Sequence, residues 1–430
     1  MPWTLWPAGL LVLAIAALVR VRPTASAGVA LAGVLTIAAG LVQLVPLPSS
    51  LLAAVDPHAC EYVRVMRLGS DPGACAATQI TVDPRATAVG LAVAAGAVLL
   101  FWACVNLFAA SGIRRTIHAV LVVGIIVGIA AAIHQSMYAG RAYWWKPIEL
   151  AGNARLETFG PFVNRNHFAT WLIMAAPLGT GLLLTQAAML PAARSWRTVV
   201  TRLDSSLLTL AVSCALLVVL LILTASRSGL TGLGLAVVLA WFPARRRLEP
   251  QTAWAAAGAL ALAAVLAIFA GNLAMIVHQA ESTLREGAGG RLAIWRDTLG
   301  IIRDFWPAGS GIGTFSEVMT LYQTTDPQVH FNQAHNHYLQ IAAEGGVLVG
   351  VPAAIALISL ARAAMRRFAD DRSGLWWTRL GAAVGVGAVA FQSLWETGLR
   401  MPANAALFAV VAAIALHPPR TSAPRESAWR

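Results

Sequence analysis

The chain has 430 residues, of which 58% are hydrophobic and only 12% are charged. Soluble domains carry about 25% charged residues, and the mean hydropathy of this chain is +0.69. These values exclude an ordinary soluble protein and indicate a polytopic helical membrane protein.

Apolar segments close to 20 residues long recur along the chain, and about this length crosses a hydrocarbon core of roughly 30 Å. They predict an all-α transmembrane bundle of about 11–12 spans. The first segment lacks a basic leading region and a cleavage site, so it is interpreted as a span and not as a signal peptide. The spans are placed at Trp3–Val19, Ala27–Val45, Ala86–Ala110, Thr116–Met137, Phe168–Leu190, Leu207–Ala225, Ser228–Ala244, Thr252–Val277, Leu339–Ala361, Leu380–Trp395 and Pro402–Leu416.

Arginines in short loops orient the bundle, because basic loops stay on the cytoplasmic side. These loops contain Arg20, Arg22, Arg114, Arg115, Arg194, Arg197, Arg202, Arg245, Arg246, Arg247, Arg362, Arg366, Arg367, Arg372 and Arg379. The resulting division is a transmembrane bundle at 1–277 with outer loops at 46–85 and 138–167, a large periplasmic loop at 278–338, C-terminal helices at 339–416 and a cytoplasmic tail at 417–430.

The outer loops also carry many arginines, which is unusual for the translocated side. Two interpretations stay open: anchoring to anionic membrane lipids, or a cationic basin for a phosphate-bearing ligand. The net charge of +12 follows in part from topology and does not require nucleic acid as a partner. Cys60 and Cys75 share the first outer loop and could form a disulfide bond if that side is oxidising. No residue spacing indicates a metal site or a nucleotide-binding loop.

The first polar motif in chain order is GPFVNRNHFATW at Gly160–Trp171, just before the predicted fifth span. Asn164, Arg165, Asn166 and His167 supply donors and acceptors suited to sugar hydroxyls or phosphate. A polar helix cap at the membrane surface is an equally good interpretation for any one of them.

The second motif is Arg227 in TASRSGLTGLGL, with no other charged residue between Ser206 and Ala244. Two spans meet there with hardly any loop, and Gly229 and Gly232 would allow a tight turn or a broken helix. The guanidinium either snorkels to the lipid head groups or holds a lipid-linked phosphate at membrane depth.

The third motif runs from Gly289 to Phe315 and predicts an amphipathic helix in the interface plane. Asp297 and Asp304 fall opposite its apolar stripe. Most of this helix is interpreted as structural. Arg291 is the exception, because it lies at the helix start, where exposed N–H groups favour anions; Arg296 flanks the other edge of the stripe. The stripe consists of Leu292, Trp295, Leu299, Ile302 and Trp306.

The fourth motif is QAHNHYLQIAAEGGVLVG at Gln333–Gly350, a polar loop that runs into an apolar helix. It brings together His335, Asn336, His337 and Glu344. Ionisable groups at a membrane rim are costly to desolvate, so they usually mark a site of chemistry or transport. Histidine can take a proton from an attacking hydroxyl near neutral pH.

Three motifs, taken in chain order, resemble the bacterial O-antigen ligase family and the related O-antigen polymerases. They are SRSG at Ser226–Gly229, Arg291 followed by Trp295, and the AHN…E-x-G segment that begins at Ala334. The ligase pattern is His-Asn, nine residues, then G-x-x-G. Here His335-Asn336 and nine residues precede Gly346, but Val349 stands at the last glycine position. The likeness covers roughly residues 160–350.

The resemblance implies a metal-independent integral membrane glycosyltransferase without a cofactor, in the bacterial inner membrane with its active site facing the periplasm. The donor would be a glycan on undecaprenyl diphosphate. The acceptor would be a hydroxyl of lipid A–core oligosaccharide in a ligase, or a second lipid-linked glycan in a polymerase. By motif position, Arg227 and Arg291 would neutralise the diphosphate and His335 would act as general base or orient the acceptor. The other expected substrate-binding residues are Arg165, Asn166, Arg296, Asn336, His337 and Glu344.

A lipid-linked glycan transporter would also be polytopic and arginine-lined, and it remains an alternative. Transporters more often carry ionisable groups near the bilayer midplane and internal repeats, and neither is visible in this sequence. A structural scaffold is a third alternative, but it would not explain polar clusters confined to one face.

Overall fold

The computed structural model describes residues 9, 11–14, 16, 27–66, 77–137, 141–142, 146–147, 161–190, 197, 204–270, 290–324, 330–369 and 371–418. The predicted span at Trp3–Val19 lies largely outside the described residues, as does Cys75 of the possible disulfide bond.

The described chain is helical apart from two short paired strands, β1 at Arg141–Ala142 and β2 at Lys146–Pro147. The helices are α1 at Ala27–Val42, α2 at Ser49–Val55, α3 at Pro57–Met66, α4 at Pro84–Ser111, α5 at Arg114–Met137, α6 at Arg165–Ala188, α7 at Ser205–Leu223, α8 at Arg227–Ala244, α9 at Pro250–Ala270, α10 at 290–304, α11 at Phe315–Tyr322, α12 at His337–Ala369, α13 at Trp376–Gln392 and α14 at Pro402–Ala415. A 3₁₀ turn at Gly398–Arg400 precedes α14.

Six of the described helices, namely α4, α5, α6, α7, α8 and α12, are long and apolar enough to cross a membrane. The shorter apolar helices α1 and α14 pack along α12 and α4. The prediction of a polytopic transmembrane helical bundle is therefore confirmed. Several boundaries differ: α6 begins at Arg165 and not at Phe168, α12 continues to Ala369 and not to Ala361, and α13 begins at Trp376 and not at Leu380.

Side-chain caps set where several helices begin. The Asp83 carboxylate accepts hydrogen bonds from the Arg85 and Ala86 amides ahead of α4, and Asp204 accepts one from Leu207 ahead of α7. A cap of this kind satisfies amides that have no partner within the helix and contributes about 1 kcal/mol.

Helix α6 forms the centre of the bundle, with α5, α7, α8, α9, α13 and α14 packed around it. Its side chains are buried on every side, including Phe168, Leu172 and Met174. The protein therefore holds the start of α6, with Arg165 and Asn166, at a fixed position in the middle of one end of the bundle.

The two ends of the bundle differ in chemistry. The site face is the end at which α6, α8 and α12 begin and α7 and α13 end. At the opposite end, Arg247 lies 4.5 Å over the Trp376 ring and donates to the Asp371 carbonyl. Arg379 there pairs with Asp371 and donates to the His417 carbonyl. The basic loops are thus tied together at the end away from the site.

A second hydrophobic core lies on the site face, formed by α2, α3, α10 and α11. It includes Leu52, Ile294, Ile301, Phe305 and Phe315, all at most 3% exposed. This small outer layer covers the polar ends of the bundle helices and positions α10 over them.

Helix α10 has a buried face and an exposed apolar stripe. Leu292, Leu299 and Trp306 are 60%, 56% and 58% exposed. On the buried face, Asp297 accepts hydrogen bonds from the amide and hydroxyl of Thr324. The exposed stripe is the apolar face that the sequence predicts, which favours contact with lipid at the membrane surface.

A cavity of about 790 Å³ lies between α1, α4, α12 and α14. Its lining is almost entirely apolar and includes Val29, Gly33, Phe101, Trp102, Ile341 and Leu357. Trp306, His337 and Tyr338 line the end of the cavity that reaches the site face.

Candidate active site

The site begins at the tight connection between α7 and α8. Ala225 turns the chain with φ of +47°, and the Ser226 hydroxyl accepts a hydrogen bond from the Gly229 amide, which caps α8. The expectation that Gly229 and Gly232 make this turn is wrong, because both lie inside α8. A side chain at Gly229 would meet Ala169 of α6 at 2.7 Å, so this glycine permits close helix packing.

The start of α6 is built in the same way and is joined to the start of α8. Asn164 caps α6 by accepting from the Asn166 amide. The Asn166 side chain then accepts from the Ser226 hydroxyl at 2.7 Å and donates to Glu396 Oε1 at 2.9 Å. Two helix starts, each bearing an arginine as its first residue, are thereby fixed side by side.

Arg291 reaches the same carboxylate from the outer layer. Its Nη2 donates to Glu396 Oε1 at 2.9 Å; the Arg291 side chain is 36% exposed, whereas that of Glu396 is 1% exposed. Burial raises the pKa of Glu396 to about 7, although the Arg291 charge and its hydrogen bond act in the opposite direction.

Positive charge predominates where these elements meet. The charges of Arg291 and Arg165 act on Arg227, which is exposed and whose guanidinium has no hydrogen-bond or ion-pair partner among the described residues. Helix N-termini carry partial positive charge, so arginines at the starts of α6 and α8 gain nothing from the helix dipoles. Such an arrangement is suited to an anionic ligand.

The loop that carries His335 and Asn336, ahead of α12, completes the site. His335 has a φ of +49°, a conformation that non-glycine residues adopt at a cost and that clusters at functional sites. Burial lowers the pKa of His335 to about 4, and the Arg291 charge acts in the same direction. The Trp295 indole of α10 donates to the Ala334 carbonyl at 3.0 Å, which attaches this loop to the helix that carries Arg291.

Asn336 and His337 have different surroundings from His335. The Asn336 side chain accepts from the Tyr338 and Leu339 amides and so caps α12. The His337 amide donates to the Ser393 carbonyl, and its ring lies at the cavity mouth. The structure thus places His335 near Arg291 and His337 at the apolar cavity.

Glu344 is buried, and both of its carboxylate oxygens accept hydrogen bonds. Its carboxylate accepts from the Gly313 and Phe315 amides, from Gln340 and from Arg400. The glycine-containing segment after α10 therefore closes on this residue. Gly346 bends α12 beside it, with φ of +53° and ψ of −150°, and a Cβ at that position would overlap the Pro307 carbonyl oxygen.

The segment that closes on Glu344 is also tied to the end of α1. Gln43 donates to the carbonyls of Ala308 and Glu344, both at 2.9 Å, and accepts from the Ile312 amide. Gln43 itself is fully buried. The outer layer is thus anchored to the bundle through side chains that lie far apart in the chain.

Arg296 does not join the cluster. It is exposed, and no hydrogen bond or ion pair connects it to the other candidate residues described in the structure. It lies five positions after Arg291 on α10, and at about 100° per residue this offset turns the two side chains about 140° apart around the helix axis.

Glu396, Arg400 and Gln392 belong to the site, but the sequence motifs did not identify them as binding residues. Gln392 donates to the Ser228 hydroxyl at 3.1 Å, next to the Ser226 cap. One signal was available: Glu396 is the only acidic residue between Asp371 and Glu426 in the sequence, in a largely apolar segment. A lone carboxylate in such surroundings usually has a partner or a function.

Comparison with known proteins bears on residues at the centre of this site. A family model described as O-antigen ligase matches residues 212–354. A comparison with curated proteins gave no match. The matched segment contains Arg227, Arg291 and His335, whereas Arg165 and Glu396 lie outside it. The match confirms the resemblance drawn from the sequence motifs: the chain is O-antigen ligase-like over residues 212–354.

Proposed function

We propose that the protein is an O-antigen ligase-type glycosyltransferase. It moves a glycan from undecaprenyl diphosphate to a hydroxyl of lipid A–core oligosaccharide, on the periplasmic face of the bacterial inner membrane. One arrangement supports this proposal above all: an apolar cavity ends at His337, two residues from His335, where Arg165, Arg227 and Arg291 act on the same region.

The donor is amphipathic: its apolar tail matches the cavity, and its charged diphosphate matches the arginines. The polyprenyl tail occupies the cavity between α1, α4, α12 and α14, where it is shielded from water. The diphosphate lies against Arg227 and Arg291, with Arg165 as a further contact. Guanidinium groups form paired hydrogen bonds with phosphate oxygens, so arginines hold a diphosphate with defined geometry.

The proposed reaction develops negative charge on the diphosphate leaving group, and the site must stabilise that charge. The acceptor hydroxyl oxygen forms a bond to C1 of the donor sugar, and the bond between C1 and the diphosphate oxygen breaks. The electron pair leaves with the diphosphate, where Arg227 and Arg291 offset the developing negative charge. The hydroxyl proton passes to His335, which is neutral near pH 7 because its pKa is about 4.

The remaining candidate residues have supporting roles in this proposal. Asn166 orients Arg165 at the start of α6. Asn336 orients His335 through the cap of α12. Glu344 holds Arg400 and the segment after α10 in place. His337 contacts the donor where the tail meets the diphosphate, and Arg296 contacts the substrate outside the diphosphate region, on the exposed surface of α10.

The test is a transfer assay with the purified full-length protein in detergent, given a lipid-linked glycan and lipid A–core. A new covalent glycan on lipid A–core is the expected product. Longer lipid-linked glycans formed without lipid A–core would establish a polymerase instead. The absence of any covalent product with a folded protein, together with movement of the donor across a vesicle bilayer, would establish a transporter and overturn the proposal.

A further inference from the structure

Glu396 lies behind Arg291 as seen from the exposed side of the site. It contacts only Nη2 of the guanidinium, and the Arg291 side chain is 36% exposed. The same carboxylate oxygen binds Asn166, which continues through Ser226 to the cap of α8 beside Arg227. One buried carboxylate therefore connects the supports of both arginines.

The other carboxylate oxygen of Glu396, Oε2, does not bind Arg291 or Asn166. Glu396 Oε2 is buried and has no partner of good hydrogen-bond geometry among the described residues; the Ser228 hydroxyl and the Thr397 amide lie near the carboxylate and lower its pKa less than burial raises it. An ionised carboxylate with one oxygen unsatisfied in a buried position is costly, whereas a protonated carboxyl loses much of that cost. The geometry thus provides a site where a proton can be held next to Arg291.

We propose that Glu396 is a positioning residue whose protonation is coupled to donor binding: the ionised carboxylate neutralises Arg291, and the protonated carboxyl leaves that charge to the donor diphosphate. This inference rests on the proposed function, since it takes a lipid-linked diphosphate as the ligand.

The charges around Glu396 come from several elements. Arg291 from α10 is in direct contact, Asn166 and Ser228 are neutral, and His335 is neutral near pH 7. The other charged or titratable groups of the site are Arg165 and His167 at the start of α6, Arg227 at the start of α8, His337 at the start of α12, and Arg400 with Glu344 beside the 3₁₀ turn. Glu396 is thus the acidic group that faces Arg291 in the described structure.

The direction of the pH effect follows from the pKa of Glu396, which burial raises to about 7. An incoming diphosphate repels the ionised carboxylate and raises this pKa further. The complex therefore holds more protons than the free protein above pH 7, and donor affinity falls as the pH rises. A single coupled proton limits the fall to about tenfold per pH unit.

The experiment uses full-length protein in detergent and farnesyl diphosphate-linked N-acetylglucosamine as the probe. Its diphosphate is esterified at both ends and has no proton that titrates near neutral pH, so the pH dependence belongs to the protein. Dissociation constants are measured from pH 6 to 8 for the wild type and for Glu396→Gln. The wild type should bind less tightly at each step above pH 7, while Glu396→Gln should bind about as tightly at pH 8 as the wild type does at pH 6.

Asp304→Asn is the matched control, because Asp304 is a carboxylate on α10 held by Arg303 and Tyr322 instead of Arg291. It should keep the pH profile of the wild type. Equal profiles for the wild type and Glu396→Gln would overturn the inference and leave the proposed function intact. A folded wild type that binds no probe at any pH would overturn the proposed function itself.

A second measurement covers the case in which Glu396→Gln does not fold. Calorimetric titration of the wild type with the same probe, in two buffers of different ionisation enthalpy, gives the number of protons taken up. Uptake of a substantial fraction of one proton at pH 8 supports the coupling. Zero uptake overturns it.

Discussion

Arg291 and Glu396 lie 105 residues apart in the chain, yet their side chains meet at 2.9 Å across the boundary between the outer layer and the helix bundle. The contact joins the amphipathic helix α10 to the turn that precedes α14. It makes α10 part of the site and not merely a helix that rests on the membrane.

Arg291→Ala should lower the transfer rate by roughly 100- to 1000-fold, the cost of removing a preorganised group that stabilises developing charge. Arg303→Ala is the control, because its side chain lies on the same helix and is 80% exposed. We expect near wild-type transfer from that variant in the same detergent assay. If both variants lose activity equally, the effect belongs to α10 as a whole and not to Arg291.

His335→Ala should lower kcat by about 100- to 10,000-fold, the range for a general base. In the wild type, kcat at saturating donor should be constant at neutral and alkaline pH and fall on the acidic side, because a protonated imidazole accepts no proton. The midpoint should lie between about 4, the pKa of His335 in the free protein, and the ordinary value of 6.5, since bound diphosphate offsets Arg291.

The control for this variant is His330→Ala. His330 is an exposed imidazole in the same outer region, hydrogen-bonded to the Ser316 hydroxyl at 2.9 Å. It should retain both the rate and the pH profile. Near-normal transfer by a folded His335→Ala protein would rule out His335 as the base.

Glu344→Ala should destabilise the folded protein by about 3–5 kcal/mol, because it leaves Arg400 without its partner and several donors unsatisfied. Thermal unfolding in detergent measures this effect. The double variant Glu344→Ala, Arg400→Ala should lose less than the sum of the two single changes, since contacting charges are coupled. Strict additivity would argue against the ion pair.

Gly346→Ala should lower the melting temperature or prevent folding, because the positive φ and the adjacent Pro307 carbonyl leave no room for a Cβ. Gly350→Ala, four residues further along α12, is the matched control, since no heavy atom lies within 4 Å of the position that its Cβ would take. It should be neutral or gain up to about 1 kcal/mol in stability from reduced backbone freedom. Equal effects at the two positions would contradict the packing seen around Gly346.

The sequence identified as candidates the residues that stand out against an apolar background. Arg227 and His335 interrupt or border apolar segments, where a charge is costly, and Arg291 lies at the start of an amphipathic helix, so all three were candidates from the sequence alone. The helical bundle followed from the same contrast between apolar segments and arginine-bearing loops.

Which side chains bond to each other could not be predicted in the same way, because these contacts depend on distances between elements that lie far apart in the chain. The sequence grouped Glu344 with His335 and His337 as a substrate-binding residue, whereas its bonds go to the segment after α10 and to Arg400. Glu396 directly follows the predicted span at Leu380–Trp395 and was assigned no role from the sequence. The glycines near Arg227 looked like a turn, but the turn falls on Ala225 and Gly229 serves helix packing.

The connection between α13 and α14 supplies the counter-charges Glu396 and Arg400 for groups that are synthesised earlier, namely Arg291 and Glu344. During synthesis, Arg291 and Glu344 leave the ribosome first and must wait for α13 and α14 to be inserted before their charges are matched. A chain that stops short of residue 396 would therefore insert most of its spans yet leave the candidate site unassembled, so truncation before Glu396 should abolish the proposed transfer without preventing membrane integration.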